Sequence, residues 1–320
     1  MSDFLAIRDL SVDFAVAGGA LHVLRDVSLT VVKGRIVGLV GESGSGKSTL
    51  ALALLGLLPG NTSRVAGAIE LDGLNLLSLP AEALESLRGQ RIAMIFQDPM
   101  TALNPVFTIG TQLVDAQRGK YPRLGRQALL QRAAEMLARV GLSDPETRLA
   151  AYPHQLSGGM RQRVMIAMAL LCEPEILIAD EATTALDVTV EAQIVELIRD
   201  LSGAFDGSIL FVSHSLGLVS ELADDVAVMY AGKIVESGPT TSLFDDPRHP
   251  YTRALLSCEI DPDEAPGTPL VTIKGGLPDL VDVPAGCIFA ERCPLRFDKC
   301  REEPPSVAVA PGHFAACWRA

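Results

Sequence analysis

The sequence has no long apolar run. None of its 320 residues lies in a stretch approaching the ~18 consecutive apolar residues that cross a bilayer. The most tempting segment, residues 164–171, is about half that length. The amino terminus, Met-Ser-Asp-Phe-Leu, lacks the basic region and apolar core of a secretory leader, so a soluble, intracellular chain is expected. Positive charge is also short: 27 Lys and Arg against 39 Asp and Glu leave a net charge of −12. A protein that lives on nucleic acid would carry a basic stripe. The same deficit disfavours direct binding to anionic lipid, so any work at a membrane requires another protein to hold the chain there. Six cysteines in an intracellular chain are not expected to form disulfides. Core material is not lacking, since 48% of the residues are hydrophobic. The length suits one large domain, or one large and one small.

Hydrophobic alternation predicts strands over residues 4–14 and 23–31, with a turn at Gly18-Gly19. A third strand, 35–40, runs into a glycine-rich segment. Residues 48–58 read as the following helix, closed by Pro59-Gly60. Another strand, 91–96, ends at Gln97; helices are predicted over 126–140, stopping at Gly141, and over 158–171. The short apolar runs 176–179 and 209–212 suit strands buried on both faces of a parallel sheet. Strands alternating with helices indicate an α/β fold with ligands at the carboxyl ends of the strands. Residues 98–171 interrupt the alternation and read as an inserted helical subdomain. Composition changes near residue 240. Residues 259–320 hold nine of the 20 prolines and four of the six cysteines, with no long periodic segment. Residues 241–320 are therefore expected to form a loop-rich extension to a domain spanning 1–240.

The glycine-rich segment, Gly41-Glu42-Ser43-Gly44-Ser45-Gly46-Lys47-Ser48-Thr49, fits the phosphate-loop pattern G-x-x-x-x-G-K-[ST]. Its glycines allow a tight turn whose N–H groups face phosphates, and the helix N-terminus adds a favourable dipole. Lys47 is expected to reach the β- and γ-phosphates and Ser48 to ligate Mg²⁺. An incidental glycine turn would not be flanked by an apolar strand and a helix in this order. Asp180 and Glu181 close the run 176–179, where one carboxylate can hold Mg²⁺ and the next can polarise an attacking water. An Asp-Glu pair alone is more often a helix-start signal. Gln97 ends its strand at the entrance to the helical insert and can contact metal or water. His214 ends its strand and can hydrogen-bond a γ-phosphate.

A second segment, Leu156-Ser157-Gly158-Gly159-Met160, resembles the signature of the ABC ATPases. The resemblance spans about residues 4–240 and implies a P-loop NTPase core with an inserted helical subdomain. It also implies ATP and Mg²⁺ as ligands. It makes Gln97 the Q-loop glutamine, Asp180 the Walker B aspartate, Glu181 the catalytic base and His214 the switch histidine. Ala185-Leu186-Asp187 is similar to the D-loop, in which Asp187 helps two subunits communicate. Ser157, Gly158 and Gly159 would face the γ-phosphate bound by the opposite subunit, while Ser157 also caps the helix that follows. One departure concerns the base: the hairpin segment where relatives stack adenine on an aromatic ring reads Ala15-Val16-Ala17-Gly18-Gly19, flanked by Phe14 and His22. Another is Ser215, where many relatives carry an acidic residue.

The runs Gln97-Asp98-Pro99-Met100-Thr101-Ala102-Leu103-Asn104-Pro105, Tyr152-Pro153-His154-Gln155 before the signature, and His249-Pro250-Tyr251-Thr252-Arg253 resemble the ATP-binding subunits of oligopeptide/dipeptide permeases. That branch implies an importer with two transmembrane subunits, a second ATP-binding subunit of paralogous sequence, and an external solute-binding protein. It places the chain peripherally on the cytoplasmic face of the membrane. A nickel or other small-solute importer of the same branch is the alternative, followed by a non-transport ABC ATPase acting on ribosomes or DNA, and by a scaffold. Acidic charge disfavours the nucleic-acid option, and an intact Lys47, Asp180, Glu181 and His214 disfavour an inactive scaffold.

Cys287, Cys293, Cys300 and Cys317 are separated by five, six and sixteen residues. None of these gaps is the two-residue spacing usual in zinc ribbons. Four thiolates can ligate an iron–sulfur cluster, or the thiols can serve as small apolar side chains, with zinc a third choice. Similar peptide-permease ATPases carry the same cysteine arrangement, and the resemblance implies a [4Fe–4S] cluster. Cys172 and Cys258 stand apart as core or incidental residues.

Overall fold

A computed structural model describes residues 3–98, 102–181, 188–202, 207–259 and 272–320. In chain order its elements are β1 (Asp3–Val16), β2 (Gly19–Val32), β3 (Ile36–Val40), α1 (Lys47–Leu54), β4 (Ser63–Leu71), β5 (Leu74–Asn75), α2 (Ala81–Leu87) and β6 (Ile92–Ile95). Then come α3 (Ile109–Gln117), α4 (Arg126–Arg139), α5 (Pro145–Ala150), α6 (Gly158–Leu171), β7 (Ile176–Asp180), α7 (Val188–Ser202) and β8 (Ser208–Ser213). The chain finishes with α8 (Leu216–Leu222), β9 (Asp225–Tyr230), β10 (Lys233–Pro239), α9 (Thr240–Asp245), α10 (Pro250–Leu256), β11 (Val307–Ala310) and β12 (His313–Ala315). Contacts divide it into two units.

The first unit comprises Met1–Ser78 and Phe211–Ala320. Its amino-terminal sheet is antiparallel in the order β2-β1-β4-β5. The expected alternation holds on β2, where Val27, Leu29 and Val31 are buried and Asp26, Ser28 and Thr30 are exposed. A second group of strands centres on β3, which pairs in parallel with β9. β9 pairs antiparallel with β10, β10 with β12, and β12 with β11. The carboxyl-terminal hairpin thus extends the edge of β10 and clusters with the amino-terminal strands. Helix α8 lies so close to β3 that a Cβ at Gly38 would come within 2.2 Å of Val219 Cγ1.

The second unit comprises Leu79–Leu210. Its strands β6 and β7 are parallel, with Ile95 beside Ala179. Both are apolar runs, and every residue of β7 is buried. Between them all described elements are helical, as the sequence predicts. Leu113 and Val114 of α3, Leu129, Ala133 and Leu137 of α4, and Val164 and Ile166 of α6 supply the core of this region.

Strands β1 and β2 run longer than expected, and two further expectations differ. Helix α1 ends at Leu54 and not at residue 58, because Gly56 adopts φ 60°. There Gly56 N–H donates to Ala53 O and Leu57 N–H to Leu52 O, the paired bonds of a glycine-terminated helix. The extension is also less loop-like than its prolines imply, since it contains α10 and the β11–β12 hairpin.

Candidate nucleotide site

In the first unit, β3 delivers the chain to Gly41 and α1 opens at Lys47. Glycine is required at two points of the intervening loop. A Cβ at Gly41 would lie 2.1 Å from Met229 O, and one at Gly46, with φ 108°, 2.8 Å from Leu24 Cδ2. Ser43 and Gly44 are exposed at the crest, whereas Ser45 and Lys47 are buried. Lys47 Nζ donates to Gly41 O at 2.7 Å and Glu42 O at 3.1 Å, drawing the loop round its ammonium group. Ser45 N–H donates to Glu42 O at 3.1 Å. Among the described residues no side chain caps α1, and buried Ser45 Oγ has no hydrogen-bond partner. A helix N-terminus left without a side-chain cap, beside a buried ammonium, suits a phosphate chain. Ser48 and Thr49 occupy the first turn of α1, half-buried.

His214 follows β8 and is exposed. Its position is fixed by its neighbours: Ser213 Oγ accepts from Ser215 N–H at 3.0 Å, and Ser215 Oγ caps α8 by accepting from Leu218 N–H. Ser215, an unusual residue for its place, therefore serves as a helix cap. In the first hairpin, His22 Nδ1 lies 2.7 Å from Asp13 Oδ1. Its backbone N–H donates to Leu280 O, so the tail reaches the segment expected to meet the base.

The second unit brings together Gln97, Asp180 and Glu181. Asp180 is the last residue of β7 and is 4% exposed. Glu181 turns the chain with φ 42°, and its Oε2 accepts from Gln97 Nε2 at 2.9 Å. Parallel pairing causes this contact, since each side chain stands two residues beyond the paired Ile95 and Ala179. Ser157 caps α6, its Oγ accepting from Met160 N–H at 3.3 Å. Ser157 and Gly158 are exposed, and Gly159 sits beside them in the first turn. Among the described residues a Cβ on Gly158 would meet nothing within 4 Å, so their packing does not require glycine there. Asp187 and the rest of Ala185-Leu186-Asp187 lie outside the described residues, as do Pro99, Met100 and Thr101.

The tail cysteines converge. Cys287, Cys293, Cys300 and Cys317 all line one pocket, walled by Phe289, Phe297 and Trp318. Gly286, with φ 84°, lets the chain pass Cys300 and Arg301 closely enough for Cys287 N–H to donate to Cys300 O at 3.0 Å. Burial pushes the Cys287 and Cys293 thiols up, and the neighbouring thiols add to it. Among the described residues no three His, Cys, Asp or Glu side chains are grouped so as to hold a single metal ion.

Sequence reasoning missed three groups here: Arg292, which clamps Glu42; Tyr251, which meets the Glu42 backbone; and Glu236, a buried carboxylate. Glu236 accepts from Arg248 N–H, His249 N–H and His313 Nε2. All are pairings across long stretches of chain, with no local spacing to announce them.

Residues 24–184 match the family model described as ABC transporter. The chain belongs to the ABC transporter family. This ABC ATPase also matches, over residues 235–300, the model described as oligopeptide/dipeptide transporter, C-terminal region. It is 49% identical to a probable peptide ABC transporter ATP-binding protein of Sinorhizobium fredii, covering 98% of this chain and 94% of that protein. It is 45% identical to the dipeptide transport ATP-binding protein DppD of Bacillus subtilis, covering 99% and 95%. Against the oligopeptide transport ATP-binding protein OppD of Mycobacterium bovis identity is 47% over all of this chain and 52% of that protein. Among solved structures it resembles a dimeric ATP-binding cassette in a post-hydrolysis state with ADP and Pi, with TM-score 0.66 and 25% identity over 74% of this ABC ATPase and 98% of that chain. Among the described residues no helix is long and apolar enough to cross a membrane.

Proposed function

We propose that this ABC ATPase is the ATP-binding subunit of a peptide importer, coupling ATP hydrolysis to uptake of oligopeptides or dipeptides. The observation that carries this reading is the match of residues 235–300 to the peptide-transporter C-terminal region, joined in one chain to an ABC cassette. Residues 1–240 then form the ATPase domain and 241–320 the extension. Its partners are two transmembrane permease subunits, which hold it at the cytoplasmic face of the membrane, a second ATP-binding subunit and an external solute-binding protein.

In the catalytic cycle Lys47 and N–H groups of the 41–49 loop, other than those of Glu42 and Ser45, bind the triphosphate. Ser48 and Asp180, with Gln97, would hold Mg²⁺, which would supply charge neutralisation to the phosphates. Glu181 accepts a proton from the attacking water. Gln97 already bonds the carboxylate that must do this, so it orients the base. His214 hydrogen-bonds the γ-phosphate. Ser157, Gly158 and Gly159 close over nucleotide held by the partner subunit, and Asp187 helps the two subunits communicate. Support for the shared site comes from the exposed, uncrowded Gly158. Glu181→Gln is expected to keep ATP binding and lower turnover by ~10²–10⁴-fold. Lys47→Ala loses binding itself. Wild-type turnover in Glu181→Gln would refute the assignment.

We infer further that the four tail cysteines hold a [4Fe–4S] cluster, a reading supported by their sharing one pocket. The cluster would tie the tail together and supply no step of hydrolysis. Protein purified without oxygen is expected to be brown and to contain about four iron and four sulfide per chain. Colourless anaerobic protein without iron would remove this assignment and leave the ATPase reading intact.

A further inference from the structure

Glu42 poses an electrostatic problem. It is the second residue of an anion-binding loop, yet its carboxylate would repel a triphosphate. The structure answers with Arg292, which immediately precedes Cys293 in the tail. The Arg292 side chain is 6% exposed. Nη1 donates to Glu42 Oε2 at 2.7 Å and Nη2 to Oε1 at 2.9 Å, a two-point clasp of the carboxylate. Its remaining bonds go to Tyr230 OH at 3.4 Å, Ile273 O at 3.3 Å and Lys274 O at 3.0 Å. Tyr251 OH accepts from Glu42 N–H at 2.9 Å, while Glu42 O receives Lys47 Nζ and Ser45 N–H. Every polar group of Glu42 is thus specified, two of them by residues of the extension. Leu277 reaches so far over the crest that a Cβ on Gly44 would lie 3.2 Å from its Cδ1.

We propose that Arg292 is a positioning residue for nucleotide binding: it neutralises Glu42 and sets the phosphate loop, making ATP affinity depend on the cysteine-bearing tail. The proposal rests on the reading of residues 41–49 as the phosphate-binding loop. A packing role alone would make any loss of Arg292 harmful whatever stands at position 42. A neutralising role makes the harm depend on the charge of Glu42. It also makes the harm fade with added salt.

The test is calorimetric titration of the full chain with MgATP. Arg292→Ala is expected to weaken binding about tenfold at low salt, and Arg292→Lys, which keeps charge but not the fork, by less. Adding Glu42→Gln to Arg292→Ala should restore affinity to within about threefold of wild type. Arg292→Ala binding like wild type, or a double variant as weak as the single one, overturns the proposal. Should Arg292→Ala not fold, Arg292→Gln with and without Glu42→Gln carries the same comparison. Lys47→Ala runs alongside: if it binds ATP normally, the phosphate-loop reading itself fails, which a defect confined to Arg292 does not imply.

Discussion

Cys172 stands apart from the four tail cysteines. Cys172 is 5% exposed, and its thiol donates to Ala116 O and Met168 O. Burial pushes it from 9.0 up to about 11. The folded chain therefore keeps a proton that the unfolded chain releases, and stability falls as pH climbs from about 9 to about 11. Thermal midpoints measured across that range should decline more steeply in wild type than in Cys172→Ala. Equal slopes would show that the thiol does not titrate with folding. Gln97 offers a kinetic test at the same scale. Gln97→Ala should lower turnover by about tenfold, and by more than it weakens MgATP binding, because the lost bond orients the base as well as supporting the metal. A change confined to affinity would contradict that role. Both Gln97 and Glu181 were legible in the sequence as strand-end residues. Their mutual hydrogen bond was not, since it depends on β6 and β7 being neighbours in register. Arg292 was invisible for a stronger reason: nothing local relates it to a glutamate in a loop at the other end of the chain.

Among the elements, the two helices that open on candidate ligand sites begin differently. Helix α1 starts after a loop shaped by glycine and has no side-chain cap, whereas α6 is capped by Ser157. Gly158, the first residue of α6, makes a prediction of opposite signs. Its Cβ would meet no neighbour, so Gly158→Ala should raise the stability of the chain by up to about 0.5–1 kcal/mol. The same change should lower ATPase activity in the assembled transporter, where a phosphate must approach the helix. Denaturation of the isolated chain together with turnover of the complex checks both halves. Unchanged turnover would leave the glycine without a partner to serve. Element boundaries were readable where local chemistry sets them. Helix α6 begins and ends where its serine cap and apolar run predict, and α4 stops at Gly141 with the same paired terminal bonds that end α1. Helix α1 stops short of Pro59-Gly60 because Gly56 is the first glycine able to end it. Strand β4 is held by the distant β1, β9 by β3 and β10 by β12, a signal that no single window contains.

At the scale of the molecule, the first unit is assembled from both ends of the chain, so its contacts close only after the second unit has been synthesised. The extension is part of that unit's structure. Its β12 completes the edge of β10, and His313 meets Glu236, which is 1% exposed. Removing residues 272–320 would strip β12 from β10 and take from Glu236 its hydrogen bond with His313, a loss of about 1.5–3 kcal/mol for that bond. A fall in thermal midpoint on the order of 10 °C is expected. A truncated chain melting with wild type would show that the tail is a dispensable appendage.

The pocket's wall has one more consequence. Trp318 is the only tryptophan of the chain, and it lines the cysteine pocket with its indole N–H on Glu302 O and the Lys299 ammonium 3.8 Å above its ring. Selectively excited indole emission from this protein therefore comes from the tail alone, without labelling. A visible chromophore beside it would drain that emission, so cofactor loading, its loss in Cys293→Ser, and any loosening of the tail on nucleotide binding become readable in one fluorescence trace.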